Sequence, residues 1–104
     1  MRKQILEKIL EYKKEGKKLA RAFIIKAKSS SPRNTGTEML ITENGDTFGT
    51  IGGGNDEKEV IEKALEMIDS KKSGKLELTL TRKEAAEIGW VCGGRIDVFI
   101  QFIE

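Results

Sequence analysis

Three consecutive glycines, Gly52-Gly53-Gly54, separate a short strand-like segment from a long amphipathic one. Glycine lacks a Cβ and adopts positive φ at little cost, so such a run allows the backbone to turn sharply. We therefore predict that a strand, Thr47–Ile51, turns here into a helix. Asp56 with Glu59 three residues later is a suitable helix cap, and Asn55 is an alternative. The apolar stripe of this helix comprises Val60, Ile61, Ala64, Leu65 and Ile68.

The segments before the glycine run predict a β-hairpin and, before it, a further strand. Asn44-Gly45, a strong hairpin-turn signal, lies between the strands Glu38–Thr42 and Thr47–Ile51. Ala22–Lys28 has the composition of a strand, and its apolar centre, Phe23-Ile24-Ile25, predicts burial on both faces of a sheet.

The N-terminal segment, from Gln4 to about Ala20, predicts a helix that Gly16 ends or weakens. Its apolar residues recur at helical spacing and form one stripe: Ile5, Leu6, Ile9 and Leu10. The lysines of this helix are interleaved with Glu7, Glu11 and Glu15. That pattern is typical of a solvated helix face.

The C-terminal third predicts a strand, a short helix and a closing strand. Lys75–Thr81 alternates apolar and polar residues, which indicates a half-buried strand. Thr81-Arg82-Lys83-Glu84 is a capping-box sequence that opens a short helix, stopped at Gly89. Arg95–Ile103 closes the chain as a strand, with one apolar face formed by Ile96, Val98, Ile100 and Phe102.

The order of elements is therefore α-β-β-β-α-β-(short α)-β. A chain of 104 residues suits a single domain over residues 1–104. Since a hairpin and long crossovers occur together, we predict an α/β (α+β-like) fold, in which two main helices pack on a mixed β-sheet of about five strands.

Composition excludes several classes of protein. Nineteen basic and 17 acidic residues give a net charge of only +2, too small to indicate a nucleic-acid or membrane partner. Histidine is absent, which removes histidine metal sites and Ser-His triads, and the single cysteine, Cys92, cannot form an internal disulfide. The longest apolar runs fall far short of the roughly 20 residues that span a bilayer. We expect a cytoplasmic protein, and its Lys- and Glu-rich charge is typical of thermophiles.

Two segments could bind an anion. The helix that follows the glycine run offers free N–H groups and a positive dipole end, which suit a phosphate. Asp56, Glu57 and Glu59 would repel it, so a simple strand-to-helix turn is the alternative. Ser29-Ser30-Ser31-Pro32-Arg33 combines hydroxyls with a guanidinium that can pair bidentately with a phosphate, and the alternative is an ordinary polar connection.

A third segment, Cys92-Gly93-Gly94, contains the only thiol. A thiolate there could act as a nucleophile or as a soft metal ligand, provided that its pKa is lowered and it is exposed. The alternative is a small buried hydrophobic side chain beside Trp90 and Val91.

These segments together resemble the N-terminal domain of the XdhC/CoxI family, the xanthine dehydrogenase accessory (maturation) factors. The resemblance extends from about Ala22 to Ile103. It is carried by short motifs in a fixed order: Ser29-Ser30-Ser31-Pro32-Arg33, Gly36, Met39-Leu40-Ile41, Gly49-Thr50-Ile51-Gly52-Gly53-Gly54, Glu57, Val60, Val91-Cys92-Gly93-Gly94 and Val98-Phe99-Ile100.

The resemblance implies a cofactor-binding accessory protein that is not catalytic on its own. It would bind the molybdenum cofactor and assist maturation of, or cofactor insertion into, a xanthine dehydrogenase-type molybdenum hydroxylase. Cys92 would be the metal ligand. The implied cofactor-binding residues are Ser30, Ser31, Pro32, Arg33, Gly52, Gly53, Gly54, Asn55, Cys92, Gly93 and Gly94. The implied partners are the hydroxylase, a cysteine desulfurase or a separate Rossmann-domain subunit, and a second copy of the chain in a homodimer.

Two departures from the family pattern keep another function open. Asn55 stands where family members commonly have a cysteine, and we expect no C-terminal Rossmann-like domain, which many members carry, after Glu104. The alternative is a non-catalytic interaction module that assembles with a separate Rossmann-domain subunit or a target hydroxylase and does not itself bind cofactor.

Overall fold

The computed structural model describes residues 2–28, 36–52, 54–79 and 95–104. Within these ranges the chain forms two helices and five strands, which confirms the predicted fold class. The short helix predicted after Thr81 lies outside the described residues. The elements are α1 (Lys3–Lys14), β1 (Leu19–Lys28), β2 (Glu38–Thr42), β3 (Thr47–Gly49), α2 (Gly54–Ser70), β4 (Gly74–Thr79) and β5 (Arg95–Ile103).

The five strands form one sheet in the order β3-β2-β1-β5-β4. All four neighbouring pairs are antiparallel, so the prediction of a mixed sheet is corrected in this respect. The reason lies in the crossover through α2. It joins β3 at one edge to β4 at the other, and these two strands run in the same direction but never become neighbours. The sequence indicates the crossover but not the edge at which it ends.

α2 packs on one face of the sheet and forms the larger core. Val60, Ala64 and Ile68 are buried, which confirms the predicted stripe, and Ile61 and Leu65 are partly buried beside them. The predicted apolar face of β5 is also confirmed, with a half-buried Phe102 at its end. The sheet residues beneath α2 are Ala20, Ala22, Ile24, Met39, Ile41, Leu78, Ile96, Val98 and Ile100.

α1 packs on the opposite face, over β2 and β3. Its buried stripe contains Ile5, Ile9 and Tyr12, in contact with Leu19 and Leu40. The other two residues of the predicted stripe were assigned wrongly: Leu6 is 50% and Leu10 is 55% exposed. A helix that lies over one side of a sheet buries only the part of its apolar arc that the sheet supports.

β1 contains a second departure from the predicted burial. Ile24 is buried and Phe23 half-buried, but Ile25 is 43% exposed. The register of β1 against β5 shifts between Ile24 and Lys26, so Ile25 falls at a β-bulge, where the ladder is interrupted and a side chain can be re-aimed.

Both helices end with the same pair of hydrogen bonds. In α1, Gly16 (φ +75°) donates to the carbonyl of Lys13 at 3.0 Å, and the Lys17 N–H donates to that of Tyr12 at 3.1 Å. Gly16 therefore ends this helix, as predicted, but earlier than expected, and β1 already begins at Leu19. α2 ends in the same way with a lysine, Lys71 (φ +56°), at the left-handed position. No helix of the described residues is long and apolar enough to cross a bilayer.

Candidate functional site

The strands that flank the three predicted site segments all reach the same end of the sheet. β1 and β3 run in the same direction and finish at Lys28 and Gly49, and the antiparallel β5 begins at this end with Arg95. Lys28 pairs directly with Arg95, which also pairs with Thr79, the last residue of β4. The chain therefore leaves the described strands for residues 29–35 and 80–94 at neighbouring positions.

Most of the predicted site residues lie outside the described residues. These are Ser30, Ser31, Pro32, Arg33, Gly53, Cys92, Gly93 and Gly94. The described ones are Gly52, Gly54 and the backbone of Asn55, which form the turn from β3 into α2. The assignment of the predicted set to one cofactor site thus stays a prediction, supported by the positions at which the chain leaves the strands.

The turn into α2 depends on glycine at more than one position. Gly49 has φ +83°, and a Cβ there would lie 2.9 Å from the carbonyl oxygen of Glu38 on the neighbouring strand. Gly52 and Gly54 also have positive φ, at 127° and 76°. A side chain at any of these positions would be strained, and at Gly49 it would also push β3 away from β2.

The carboxylate of Glu57 occupies donors that an anion would otherwise use at this turn. The Thr50 hydroxyl donates to Oε1 of Glu57, and the Ile51 N–H donates to the same oxygen at 3.2 Å. The Gly52 N–H in turn donates to Oγ1 of Thr50 at 3.0 Å. Two amides of the turn, one of them from the predicted site residue Gly52, are thus satisfied within the turn. An anion bound here would use other donors or displace Glu57.

A cleft of about 490 Å³ lies beside this turn, at the end of the sheet where β2 begins and β3 ends. Its lining residues are Arg2, Gly36, Thr37, Gly49 and Thr50. The volume falls within the range of small-molecule sites, roughly 300–1,000 Å³. A smaller hollow of about 300 Å³, lined in part by Lys18 and Glu43, lies at the opposite end of the sheet.

Glu38 is the buried charge next to the cleft, with only 1% of its side chain exposed. Its carboxylate accepts a hydrogen bond from the Arg2 N–H at 3.0 Å and another from Arg21 Nε at 2.6 Å. Burial raises the pKa of Glu38, but these hydrogen bonds and the Arg21 charge outweigh it and hold the pKa below its ordinary value. Sequence reasoning missed Glu38. The available signal was a carboxylate at the start of an otherwise apolar strand.

A second charged network lies at the beginning of β5. Nε of Arg95 donates to Oδ1 of Asp97 at 2.9 Å, and its Nη2 lies 2.9 Å from Oε1 of Glu77. Asp97 is 4% exposed, and the hydrogen bond from Arg95 lowers its pKa. The network holds β4 and β5 together where the chain leaves them, and sequence reasoning missed it as well. Among the described residues, His, Cys, Asp and Glu form no group that could hold a metal ion.

Comparison with known proteins places this fold and these motifs in a family. The chain is 37% identical over 81 residues to the uncharacterized protein YqeB of Escherichia coli (strain K12), a match that covers 78% of the chain and 15% of YqeB. Its fold is similar to the crystal structure of a xanthine dehydrogenase (BH1974) from Bacillus halodurans, with a TM-score of 0.74 at 24% identity.

That structural match covers 94% of this chain and 30% of the other, so the chain spans only a minor part of the length of these two proteins. The model of the XdhC and CoxI family matches residues 13–81, about two thirds of the chain. Since this match includes β1 to β4 and the glycine turn, the chain belongs to the XdhC and CoxI family.

Proposed function

We propose that this protein binds the molybdenum cofactor and assists the maturation of, or cofactor insertion into, a xanthine dehydrogenase-type molybdenum hydroxylase. Membership of the XdhC and CoxI family supports an accessory role. The observation that carries the proposal is the common end of the sheet from which the chain leaves for residues 29–35, 50–54 and 80–94.

The described residues at this end fit an anionic ligand in part. The cleft beside the glycine turn is lined by Arg2, whose guanidinium suits a phosphate group, and by Gly36 and Gly49, which have no side chains to obstruct it. Glu57 opposes it, because its carboxylate already accepts from Thr50 and Ile51. The phosphate would therefore bind beside the turn or exchange with Glu57.

The remaining contacts of the proposed site come from its other segments. Arg33, with Ser30 and Ser31, would bind the cofactor phosphate through charge-assisted hydrogen bonds. Cys92 would be the soft ligand for the molybdenum centre, which is what the cofactor supplies to the hydroxylase. Asn55 offers an amide where family members commonly have a cysteine, so metal ligation would rest on Cys92 alone.

Purification after co-expression with cofactor synthesis tests this function. We expect the chain to carry pterin, detected by the fluorescence of its oxidised form, and molybdenum, detected by elemental mass spectrometry. Arg33→Ala and Gly53→Leu should each reduce both signals, whereas Lys72→Ala, just beyond the opposite end of α2, should not. A parent chain with no pterin signal and no binding to purified cofactor would contradict the proposal.

The proposed partners are the target hydroxylase, a cysteine desulfurase that supplies sulfur, and a second copy of this chain. The mass in solution, measured by light scattering after size-exclusion chromatography, distinguishes a homodimer from a monomer. Titration with purified hydroxylase and desulfurase, followed by the same method, tests the other two contacts.

An interaction module without cofactor is the second candidate function. It is favoured by the internal use of turn donors by Glu57, which accepts from the Thr50 hydroxyl and the Ile51 N–H. Stoichiometric co-purification with a Rossmann-domain subunit, together with a ligand-free isolated chain, would select this function over the first.

A further inference from the structure

We propose that Arg2 is an anion-binding residue, which presents its guanidinium to a phosphate-class group in the cleft beside the glycine turn, and that the buried Glu38 positions it. The proposal rests on the proposed function only for the identity of the natural ligand. Arg2 precedes the first turn of α1 in an extended conformation (φ −72°, ψ 151°) and makes no side-chain cap to that helix. Its side chain lines the cleft.

Glu38 fixes Arg2 from one side. The backbone N–H of Arg2 donates to Oε1 of Glu38 at 3.0 Å, and Nε of the guanidinium lies 3.6 Å from the same oxygen. Nη2 also reaches the carbonyl oxygen of Glu38, at 3.5 Å. The anchor is 1% exposed while the Arg2 side chain is 60% exposed. A buried carboxylate thus holds the Arg2 backbone and contacts one side of its exposed guanidinium.

The guanidinium retains donors for a ligand. It carries five N–H groups, and the contacts with Glu38 involve Nε and Nη2. Within residues 2–28, 36–52, 54–79 and 95–104, no side chain or carbonyl accepts a hydrogen bond from Nη1 of Arg2. This nitrogen can therefore bind an oxyanion while Nε and Nη2 stay with Glu38.

The local charge balance on the α1 side of the cleft is positive. Glu38 is paired with two guanidiniums, because Arg21 Nε also lies 2.6 Å from its Oε2. One positive charge therefore remains in excess around that carboxylate. Thr50, another lining residue, donates its hydroxyl to Glu57, which also accepts from the Ile51 N–H. The cleft is polarised, with its cationic side at Arg2.

The shape of the cleft favours a tetrahedral oxyanion carried by a larger molecule. Gly36 and Gly49 leave parts of the wall without side chains, and a Cβ added at Gly36 would meet nothing within 4 Å. The volume of about 490 Å³ exceeds what a phosphate group alone would fill. A planar guanidinium pairs well with phosphate oxygens, so we assign the cleft to the phosphate end of a phosphate monoester.

Titration with inorganic phosphate, followed by amide chemical shifts of the whole 104-residue chain, tests the proposal. We expect saturable shifts at Gly36, Gly49 and Thr50. Arg2→Gln should weaken phosphate binding about tenfold or more, as loss of a charge-assisted contact implies, and Arg2→Lys should weaken it less. The matched control is Lys3→Gln, which removes one positive charge from the neighbouring residue. Lys3 is not among the lining residues of the cleft, so this variant should change the affinity for phosphate less than about twofold.

Two further variants separate positioning from bulk charge. Glu38→Gln removes a negative charge, so simple electrostatics predicts tighter phosphate binding, whereas loss of the anchor predicts weaker binding. We expect weaker binding, with circular dichroism confirming that the variant is folded. Glu57→Gln should tighten binding, because it removes the opposing carboxylate. If Glu38→Gln does not fold, the comparison of Arg2→Gln with the control Lys3→Gln still decides the proposal.

The outcomes are distinguishable from those that test the proposed function. Equal losses in Arg2→Gln and Lys3→Gln, or phosphate shifts that avoid the cleft, would overturn the assignment of Arg2. If Arg2→Gln binds purified molybdenum cofactor as well as the parent does, the inference fails while the proposed function stands. If phosphate titrates the cleft through Arg2 but the cofactor does not bind, the proposed function fails while the inference stands.

Discussion

The two helices begin in opposite ways. α2 carries Asp56 and Glu57 in its first turn, and Glu57 closes the turn onto Ile51 and Thr50. α1 has no acidic residue in its first turn and no side-chain cap, and its carboxylate comes instead from Glu38 on a strand. A local carboxylate closes the turn that precedes a helix but uses up the donors of that turn. A distant one fixes the helix start and leaves an arginine available.

The largest expected effect compares the two carboxylates directly. Glu38→Ala leaves Arg21, 14% exposed, without its charged partner, and we expect a loss of about 3 kcal/mol in unfolding free energy. Glu57→Ala removes a carboxylate that accepts from the Thr50 hydroxyl and the Ile51 N–H, and should cost about 1 kcal/mol. Urea denaturation of both variants against the parent measures the difference. Equal losses would show that the distant carboxylate contributes no more than the local one.

Acid should weaken the distant anchor. The pKa of Glu38 is lowered in the folded state, so its contribution to stability is complete above the ordinary carboxyl pKa and is lost as the pH falls through the lower, folded-state value. The Asp97 pKa is lowered too, and it adds to the same acid limb. Thermal unfolding across the acid range should therefore show a shallower decline in Glu38→Gln than in the parent. If stability declined equally steeply with falling pH in Glu38→Gln and in the parent, Glu38 would not be the group that stabilises the fold through its lowered pKa.

The C-terminal ends of the two helices offer a smaller test, in which glycine in α1 is compared with lysine in α2 at the same left-handed position. A Cβ at Gly16 would meet nothing within 4 Å, so Gly16→Ala should cost about 1 kcal/mol from positive φ alone. Lys71→Gly should instead stabilise the chain, by about 0.5 kcal/mol, because it relieves the same conformation in α2. Chemical denaturation of the two variants checks both signs, and a destabilised Lys71→Gly would argue against strain at that position.

The smallest effect is expected on the exposed side of α1. Leu10→Gln should change stability by less than about 0.5 kcal/mol, because Leu10 is 55% exposed. Ile9→Ala, one residue away and 8% exposed, should cost about 3 kcal/mol. A large loss in Leu10→Gln, measured in the same denaturation series, would mean that this side of the helix is covered in solution, as in the proposed homodimer.

Local signals predicted the elements well and their arrangement less well. The bounds of β2 and β5 agree with the alternation and turn signals, because those signals lie in the segments themselves. The antiparallel sheet was not predictable, since the sequence does not state at which edge the crossover through α2 ends. Burial of Leu6 was mispredicted for a related reason: periodicity gives the apolar arc of a helix but not the width of the surface beneath it.

The candidate site divides along the same line. The glycine turn was predictable because consecutive glycines leave few other structures, and Gly52 and Gly54 do adopt positive φ. The Glu38 anchor was not, because it joins residues 36 positions apart and depends on the register of β2 against β1. For Glu57, the sequence predicted that its carboxylate would repel an anion. It did not predict that this carboxylate accepts hydrogen bonds from Thr50 and Ile51.

The central pair of the sheet has a consequence for how the protein is made. β1 pairs with β5 along nearly its whole length. Leu19 therefore pairs with Ile103, and most of the chain lies between these two residues in the sequence. During synthesis, β1 cannot acquire this neighbour until residues 95–103 have been translated. The early hairpin partner β2 covers only one side of β1, and such non-local pairing folds slowly. Completion of the core is therefore a late event, and the nascent chain exposes an apolar central strand until then.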